Sequence, residues 1–443
     1  MEEGSSSSPS PSTHIDHSSI QIINEDEEED LTTSIKSKMD SSIADSYSIC
    51  RVSDHLLKAN HHRRIYRPSL LSIGPLHRAP PLPADPLKYR YLNALLARTP
   101  TAAPAVLRRC IAALRQLEPK ARNFYRQKIP MESNQFVEML LVDACFVIEL
   151  FIETEHPAFR RRDDPLVDKS PQLISDLILL ENQLPFFVVD HIFRLVHIPI
   201  ECAKPLPELA SNFLRRILPG RRGRKKFSPE IHHLLDLIRL HYLPKNRRLH
   251  STTMTTNAAT MHRAVQLHAY GIKLENAHDA ETPLDVTFVD GALRVPTLKI
   301  DDHTEVVLGN LIAMEHCHAE CPKIVTSYAV LMEQLVKFKN DVEVLRDEGI
   351  LVGSGYGREA ETVIMLKRLQ TGVNVKEFYY RGVCEEVNRY KASEGRAQWE
   401  TLRHIYHRTR LGIAGFTLAL VVLVFLFTGV LFSVLTYLLH HFQ

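Results

Sequence analysis

The longest apolar pattern in the chain covers residues 411–439, where 29 consecutive residues carry no charge. A helix rises about 1.5 Å per residue, so this stretch is longer than the ~30 Å hydrocarbon core of a bilayer. The pattern predicts a single transmembrane helix, followed only by a short tail of residues 440–443. Residues 400–410 would then form a basic juxtamembrane segment.

Three arginines, Arg403, Arg408 and Arg410, lie just before this stretch, and no acidic residue follows Glu400. Positively charged residues favour the cytoplasmic side of a membrane. The body that precedes the helix is therefore predicted to be cytosolic, at the plasma membrane or at an endomembrane.

Small residues within the apolar stretch form two pairs at four-residue spacing, Gly415 with Ala419 and Gly429 with Ser433. Such pairs allow two helices to approach closely. They predict that a homodimer can form through this helix.

Apolar residues recur at helical spacing through most of residues 46–399, which are predicted to form a large helical domain, as one unit or as two lobes. Residues 136–152 are apolar on nearly every side, as expected for a helix in the centre of a bundle. Residues 172–196 form a second such stretch, and Pro185 is expected to end or kink its helix near Leu184.

One segment changes to the pattern of β-strands. The runs LDVTFV and ALRVPTLKI lie on either side of Asp290 and Gly291, a dipeptide that suits a type I′ turn. The predicted fold class is therefore mainly α: a large helical domain with one small β-hairpin, plus a single C-terminal transmembrane helix.

The first 45 residues contain 11 acidic residues against Lys36 and Lys38, and no aromatic residue. Such a segment cannot bury enough apolar surface to offset the entropy of ordering. It is predicted to be a disordered, acidic, Ser-rich tail. Since the whole chain has a formal net charge of +2, the remainder is basic and attracts this tail.

Residues 63–86, RRIYRPSLLSIGPLHRAPPLPADP, are rich in proline. Prolines at this density remove amide donors and prevent a continuous helix. The segment is predicted to pack as an extended lid or strap.

Several polar residues interrupt the most apolar stretches, where a buried carboxylate needs an arginine, a helix N-terminus or a metal as its partner. One interpretation is structural, with every polar group satisfied inside the core. The alternative is a membrane-tethered enzyme that uses Asp143, Glu149 and Glu181 in acid–base or two-metal chemistry. The residues of this signature are Asp143, Glu149, Asp176, Glu181, Asn182, Gln183 and Pro185.

A basic cluster, RRGRKK, occupies residues 221–226. Such a cluster can contact anionic lipid head groups, and a solvated loop is the alternative. No fold signature or interleaved aromatic pattern accompanies the charge, so no nucleic acid is expected as a partner. The residues of this candidate lipid contact are Arg221, Arg222, Arg224, Lys225 and Lys226.

The seven cysteines are odd in number and mostly far apart, so reduced thiols are expected rather than a disulfide framework. His316, Cys317, His318 and Cys321 lie close enough to suggest a soft-metal site, but the paired CxxC spacing of a zinc site is absent. The glycine-rich run at 353–357 lacks the GK[ST] ending of a phosphate-binding loop. We expect no metal, no cofactor and no catalytic residue.

Several blocks of the sequence resemble one known family. IYRPSLLSIGPLH, LLVDACFVIELF and SDLILLENQLPFFVVDHIF are similar to signature blocks of the large plant family called domain of unknown function 247, and later blocks recur in the same order. The resemblance implies a mostly helical, single-span membrane protein with no assigned enzymatic activity. Some grass members of the family are linked to self-incompatibility, which implies recognition or signalling and an unidentified protein partner.

Overall fold

The structure is a computed structural model in which the chain divides into two compact units. Unit 1 consists of Met1–Leu218, Lys225–Leu240 and Gly309–Pro322, and unit 2 of Pro219–Arg224, His241–Leu308 and Lys323–Gln443. Side chains between 410 and 441 are described for residues 418–434 only. The described residues are 49–59, 63–160, 164–166, 168–196, 204–219, 230–244, 260–318, 321–353, 357–373, 375, 377–393 and 410–441.

Helices make up most of the described elements, and three short 3₁₀ turns lie at Arg63–Tyr66, Asp85–Leu87 and Pro157–Phe159. In chain order the elements are α1 (Asp54–Ala59), α2 (Lys88–Ala97), α3 (Ala103–Asn123), α4 (Ser133–Glu155), α5 (Ser170–Leu177), α6 (Phe186–Val196), α7 (Leu206–Phe213), α8 (Leu234–Tyr242), α9 (Ala264–Ala269), β1 (Lys273–Asn276), β2 (Thr287–Val289), β3 (Ala292–Val295), β4 (Leu298–Lys299), α10 (Thr304–Cys317), α11 (Ile324–Leu335), α12 (Lys339–Asp347), β5 (Leu351–Val352), α13 (Glu359–Gln370), α14 (381–393) and α15 (Arg410–His441).

Unit 1 is built around α4. Every residue from Met139 to Glu153 is buried, because helices α2, α3, α6 and α7 pack around this helix on different sides. The nearly uniform apolar pattern of residues 136–152 is thereby explained, since a helix surrounded by other helices has no solvent-facing side.

The second apolar stretch of unit 1 folds differently from the prediction. Helix α5 ends at Leu177, well before Pro185, and residues 178–185 are not helical. The side chains of Asn182 and Gln183 donate hydrogen bonds to the carbonyls of Asp176, Leu177 and Leu179, at 2.8 Å each. These bonds replace helical amide donors at the end of α5, so the helix stops without the proline.

Unit 2 contains a three-stranded sheet in the order β1–β3–β2. Strands β2 and β3 form the predicted hairpin, and its turn has positive φ angles of 50° at Asp290 and 77° at Gly291. Strand β1 pairs with β3 in parallel, and β4 pairs with β5 in parallel. These additional strands have only two to four residues, which is too short for an alternating pattern to reveal.

The predicted transmembrane helix is wrong as part of the fold class. A helix, α15, forms over the apolar stretch, but no helix in the described part of the chain is long and apolar enough to cross a membrane.

A disulfide joins Cys50 to Cys317, two residues 267 positions apart whose Cα atoms are 6.6 Å from each other. The expectation of reduced thiols is wrong for this pair. Around it, the backbone of Ile49 is hydrogen-bonded to Phe124 and Arg126, and the Arg126 side chain donates to the carbonyl of Cys317. The crosslink therefore joins the segment around Ile49 to the last residue of α10.

Removing this crosslink should destabilise unit 1. A disulfide that closes a long loop restricts the unfolded chain, so we expect Cys50→Ser to lower the free energy of unfolding by about 2–5 kcal/mol. Thermal unfolding of the purified chain measures this change. A phosphine reductant should lower the melting temperature of the parent to that of the variant and leave the variant unchanged; equal melting temperatures before reduction would contradict the crosslink.

Candidate functional site

Ser69–Gly74 is the central part of the segment predicted as a strap at residues 63–86, and from here on only this part is called the strap. It lies among the polar residues that the sequence singled out. Three of them accept hydrogen bonds from its backbone amides: Asp176, Asn182 and Asp143. A buried segment outside helices and strands needs partners for its amides, and here polar side chains supply them. Residues 63–86, predicted as one extended segment, begin and end in 3₁₀ turns at Arg63–Tyr66 and Asp85–Leu87, and Ser69–Gly74 lies between them.

Asp176 accepts hydrogen bonds from three successive amides of the strap. Its carboxylate lies 3.1 Å from the nitrogen of Ser69, 2.6 Å from that of Leu70 and 2.9 Å from that of Leu71. Burial raises the pKa of Asp176, and these three amides oppose that rise. The side chain, at the end of α5, fixes the first half of the strap.

Asn182 fixes the middle of the strap with both ends of its amide. The Ile73 nitrogen donates to Oδ1 at 2.6 Å, and Nδ2 donates to the Leu71 carbonyl at 3.0 Å and to the Asp176 carbonyl at 2.8 Å. A side-chain amide has both a donor and an acceptor, so Asn182 can pair with a backbone N–H and a backbone carbonyl of the strap at the same time.

Asp143 on α4 fixes the end of the strap and carries a buried charge. The Gly74 nitrogen donates to it at 2.9 Å, Lys88 Nζ lies 2.8 Å away, and Arg78 Nη1 lies 3.2 Å away. Asp143 is fully buried, and Lys88 is 2% exposed. Lys88 also lies 3.2 Å from Asp85 and donates to the Ser72 carbonyl. An uncompensated carboxylate would be costly at this depth, and the two cations remove most of that cost.

Gln183 and Pro185 complete the turn beneath the strap. Gln183 Oε1 accepts from the Leu235 nitrogen at 3.2 Å, and its carbonyl accepts from the Tyr125 hydroxyl at 3.1 Å. The Pro185 carbonyl accepts from the Val188 nitrogen at 3.0 Å and so opens α6. The ENQLP turn is therefore connected to α3, α6 and α8 of unit 1.

Glu149 lies apart from the strap and has its own partner. Arg98 Nη2 lies 2.6 Å from its carboxylate, and the same guanidinium stacks 4.3 Å from the centre of the Phe159 ring. Glu149 is fully buried. This pair joins α4 to the end of α2 and has the form of a structural ion pair.

Glu181 is the one signature carboxylate that lines a cleft in the described structure. Its Oε1 accepts from the Val52 nitrogen at 2.9 Å, and its Oε2 lies 3.0 Å from His77 Nε2 and 3.5 Å from Arg51. The cleft has a volume of about 490 Å³ and is also lined by Arg67. Asp54 is a second carboxylate in the lining, so the two arginines and the two carboxylates of the cleft balance in charge.

The three carboxylates of the enzyme hypothesis are thus held by separate sets of donors. Among the described residues no group of three or more His, Cys, Asp or Glu side chains could hold a metal ion. The soft-metal alternative at His316, Cys317, His318 and Cys321 also loses a ligand, since Cys317 is in the disulfide. The candidate lipid contact, residues 221–226, lies outside the described residues.

Asn310 and Lys88 are among the buried polar residues that the sequence did not single out. Asn310 on α10 accepts from the Leu180 nitrogen at 2.9 Å and donates to the Ile65 carbonyl at 2.7 Å. It stands in the apolar run GNLIAM, so the reasoning applied to Asp143 would have found it. Lys88 had no such signal, because a lysine early in an amphipathic helix is normally exposed.

Comparison with known proteins places this architecture in a family. A family described as plant protein of unknown function, DUF247, matches residues 49–425. The chain belongs to this family. A UPF0481 protein of Arabidopsis thaliana is 26% identical over 406 residues, covering 83% of this chain and 82% of the relative.

A putative UPF0481 protein of the same plant is 29% identical over 169 residues, covering 38% of this chain and 32% of the relative. No solved structure matches the chain. The resemblance read from the sequence is confirmed, and the matched region of this DUF247 protein includes the strap and all seven signature residues.

A substitution at Gly74 tests how closely the strap packs against the carbonyl of Gln183 in the ENQLP turn. Its φ angle is +72°, and a Cβ atom there would lie 2.5 Å from the Gln183 carbonyl oxygen. We expect Gly74→Ala to lower the free energy of unfolding by about 2–4 kcal/mol, through backbone strain and overlap together. Gly271, with φ of +76° and open space around it, is the matched control. Equal losses in Gly74→Ala and Gly271→Ala, measured by urea unfolding, would show that the strap does not contact the turn.

His233 makes the stability of unit 1 dependent on pH. It is fully buried, its Nδ1 accepts from the Asp236 nitrogen at 3.2 Å at the start of α8, and burial lowers its pKa to about 3. In the unfolded chain a histidine has a pKa of about 6.5. Between these values the unfolded state binds the extra proton, so stability falls as the pH falls below about 6.5.

We expect His233→Asn to remove this dependence, because Asn can also accept the Asp236 amide and does not titrate. From pH 7 to pH 5 the parent should lose about 2 kcal/mol more unfolding free energy than the variant. Urea unfolding at the two pH values measures the difference. The exposed His191 provides the control: His191→Asn should follow the parent, and a His233→Asn protein that does the same would disprove the assignment.

Proposed function

We propose that this DUF247 protein acts by binding a protein partner, as a component of recognition or signalling, and that it is not an enzyme. The supporting observation is how the signature carboxylates are used. Asp143, Asp176 and Glu181 all accept hydrogen bonds from backbone amides of residues 52–74, and Glu149 is paired with Arg98. Groups engaged in this way stabilise a fold and have little capacity left for proton transfer to a substrate.

The alternative function, an enzyme using Asp143, Glu149 and Glu181, has one observation in its favour. Glu181 Oε2 and His77 Nε2 are 3.0 Å apart at the wall of a cleft, an arrangement that acid–base chemistry could use. The other two carboxylates do not line that cleft. The enzyme hypothesis would therefore need Glu181 and His77 to act without them.

Stability distinguishes the two functions. We expect Asn182→Ala to lower the free energy of unfolding by about 2–4 kcal/mol, since the Ile73 amide and two carbonyls lose their partner inside an apolar core. Glu181→Gln keeps an acceptor for the Val52 amide and should cost about 1 kcal/mol. Thermal unfolding of the full chain measures both changes, with Glu132→Gln on the exposed surface as the control.

A different result would favour the enzyme. Removing an acid from a strained catalytic site commonly leaves stability unchanged or raises it. If both variants were as stable as the parent, and a captured partner still bound while biological activity was lost, binding alone would not explain the protein.

A further inference from the structure

Unit 2 contains a cleft of about 660 Å³ that runs beside strand β2. All three residues of β2, Thr287, Phe288 and Val289, line it, as do residues 284–286, which lead into the strand. Successive side chains of a strand point to opposite faces, so a cleft under one face would be lined by alternate residues only. Lining by every residue shows that the cleft follows the edge of the strand.

That edge is open in the described structure of unit 2. The sheet order β1–β3–β2 places β2 at the side, where β3 is its only strand partner among the described residues. Val289 is 50% exposed. The other side of β2 therefore offers backbone groups to which an extended peptide can add as a further strand.

The hairpin that presents this edge is held rigidly. Phe288 packs edge-on against Tyr390 of α14, with ring centres 5.6 Å apart. A Cβ atom on Gly291 would lie 2.5 Å from the Tyr390 hydroxyl, so the turn rests directly on that ring. Tyr380 donates to the Leu284 carbonyl at 2.8 Å and fixes the segment that leads into β2. A preformed edge loses little entropy when a partner binds.

The charge of the cleft defines the partner. Four carboxylates line it, and no lysine or arginine is among its lining residues. Arg294, the nearby cation on β3, is 2.8 Å from Asp279 and so already engaged. Burial raises the pKa of Asp285, hydrogen bonds from the Thr282 and Glu281 amides oppose that rise, and the Glu281 charge adds to it. The carboxylates are Asp279, Glu281, Asp285 and Glu386.

The floor of the cleft is aromatic and aliphatic, with Phe288, Tyr379 and Val383 half-buried in it. Aromatic faces attract ammonium and guanidinium groups, and the aliphatic stems of lysine and arginine pack on apolar surface. An anionic segment, such as the chain's own acidic N-terminal tail, would be repelled.

We infer that this cleft binds an extended, basic segment of a partner protein, which adds as a strand along β2 and places lysine or arginine side chains among the four carboxylates. The inference rests on the proposed function, since it names the kind of partner and the surface that recognises it. Main-chain hydrogen bonds to β2 supply binding energy, and the carboxylates select the sequence.

The test uses the full chain and a fluorescein-labelled peptide, Thr-Val-Arg-Val-Lys-Val-Thr, followed by fluorescence anisotropy. We expect saturable binding that weakens as salt is raised from 50 to 300 mM, and no binding when glutamates replace the two basic residues. Glu386 is exposed on α14. Glu386→Lys should weaken binding at least tenfold, whereas Glu343→Lys, at an exposed position on α12, should leave it unchanged.

Strand addition is tested separately from charge. Alternate amides of a strand point to the same side. One peptide is therefore methylated on the Arg and Lys amides, and a second on the amides of the central Val residues. We expect only one of the two to bind at least tenfold more weakly than the unmethylated peptide. Two methylated peptides that bind like the parent would overturn strand addition, as would equal losses from both.

Other outcomes are also decisive. Absence of peptide binding, or binding unaffected by Glu386→Lys, overturns the inference. If the peptide binds only after the basic residues at 221–226 are replaced by glutamine, the chain's own loop occupies the cleft. That result would overturn the inference that a partner protein binds there. If a captured protein partner binds the Glu386→Lys variant as well as it binds the parent, the proposed function is supported, but this cleft is not the surface that binds the partner.

Discussion

The fold of unit 1 depends on one constraint: the strap, a segment outside helices and strands, lies in an apolar core, and among the described residues no strand pairs with its amides. Asp176, Asn182 and Asp143 supply the missing acceptors, at distances of 2.6 to 3.1 Å. An amide left without a partner at this depth costs about 1–3 kcal/mol, so a few such losses would consume much of a domain's stability. The need for these acceptors explains why polar residues stand inside the most apolar stretches of the sequence.

The same constraint explains the early end of α5. If the helix continued to Pro185, Asn182 and Gln183 would lie on the helix and could not reach both the strap and the carbonyls of residues 176–179. Because α5 ends at Leu177, the residues ENQLP form a compact loop. The Asn182 side chain in this loop donates hydrogen bonds both to the strap and to the end of α5. Tyr125, Leu235 and Gly74 then pack against this loop, which connects the strap to several helices of unit 1. The end of α5 and the packing of the strap in the core therefore depend on the same side chains.

Much of this arrangement could be predicted from composition and periodicity. The uniform apolar pattern of α4, the hairpin at Asp290 and Gly291 and the extended strap all follow from local rules. The partners of the buried carboxylates could not be predicted, because Lys88, Arg78 and Arg98 reach them across 51 to 65 residues of chain. The same holds for the disulfide between Cys50 and Cys317 and for the parallel pairing of β1 with β3.

The transmembrane interpretation was wrong for another reason. A charge-free run shows that a helix is apolar, but it does not show what surrounds the helix, and among the described residues no helix is both long and apolar enough to cross a membrane. The features that remain informative about function are in the side chains of the body. In unit 1 the signature carboxylates are engaged in hydrogen bonds and ion pairs within the fold, and in unit 2 a cleft lined by four carboxylates lies beside β2. These two observations are the basis of the proposal that the protein binds partners.

Amide hydrogen exchange of the strap tests this account most directly. If Asp176, Asn182 and Asp143 hold the strap, the amides of Leu70, Leu71, Ile73 and Gly74 should exchange as slowly as those in the middle of α4, because all of them open only when unit 1 unfolds. In Asn182→Ala, the Ile73 amide should lose its protection first. Exchange of the strap amides in the parent at the rate of an exposed loop would show that the buried polar residues do not hold it, and the structural interpretation of the signature would be wrong.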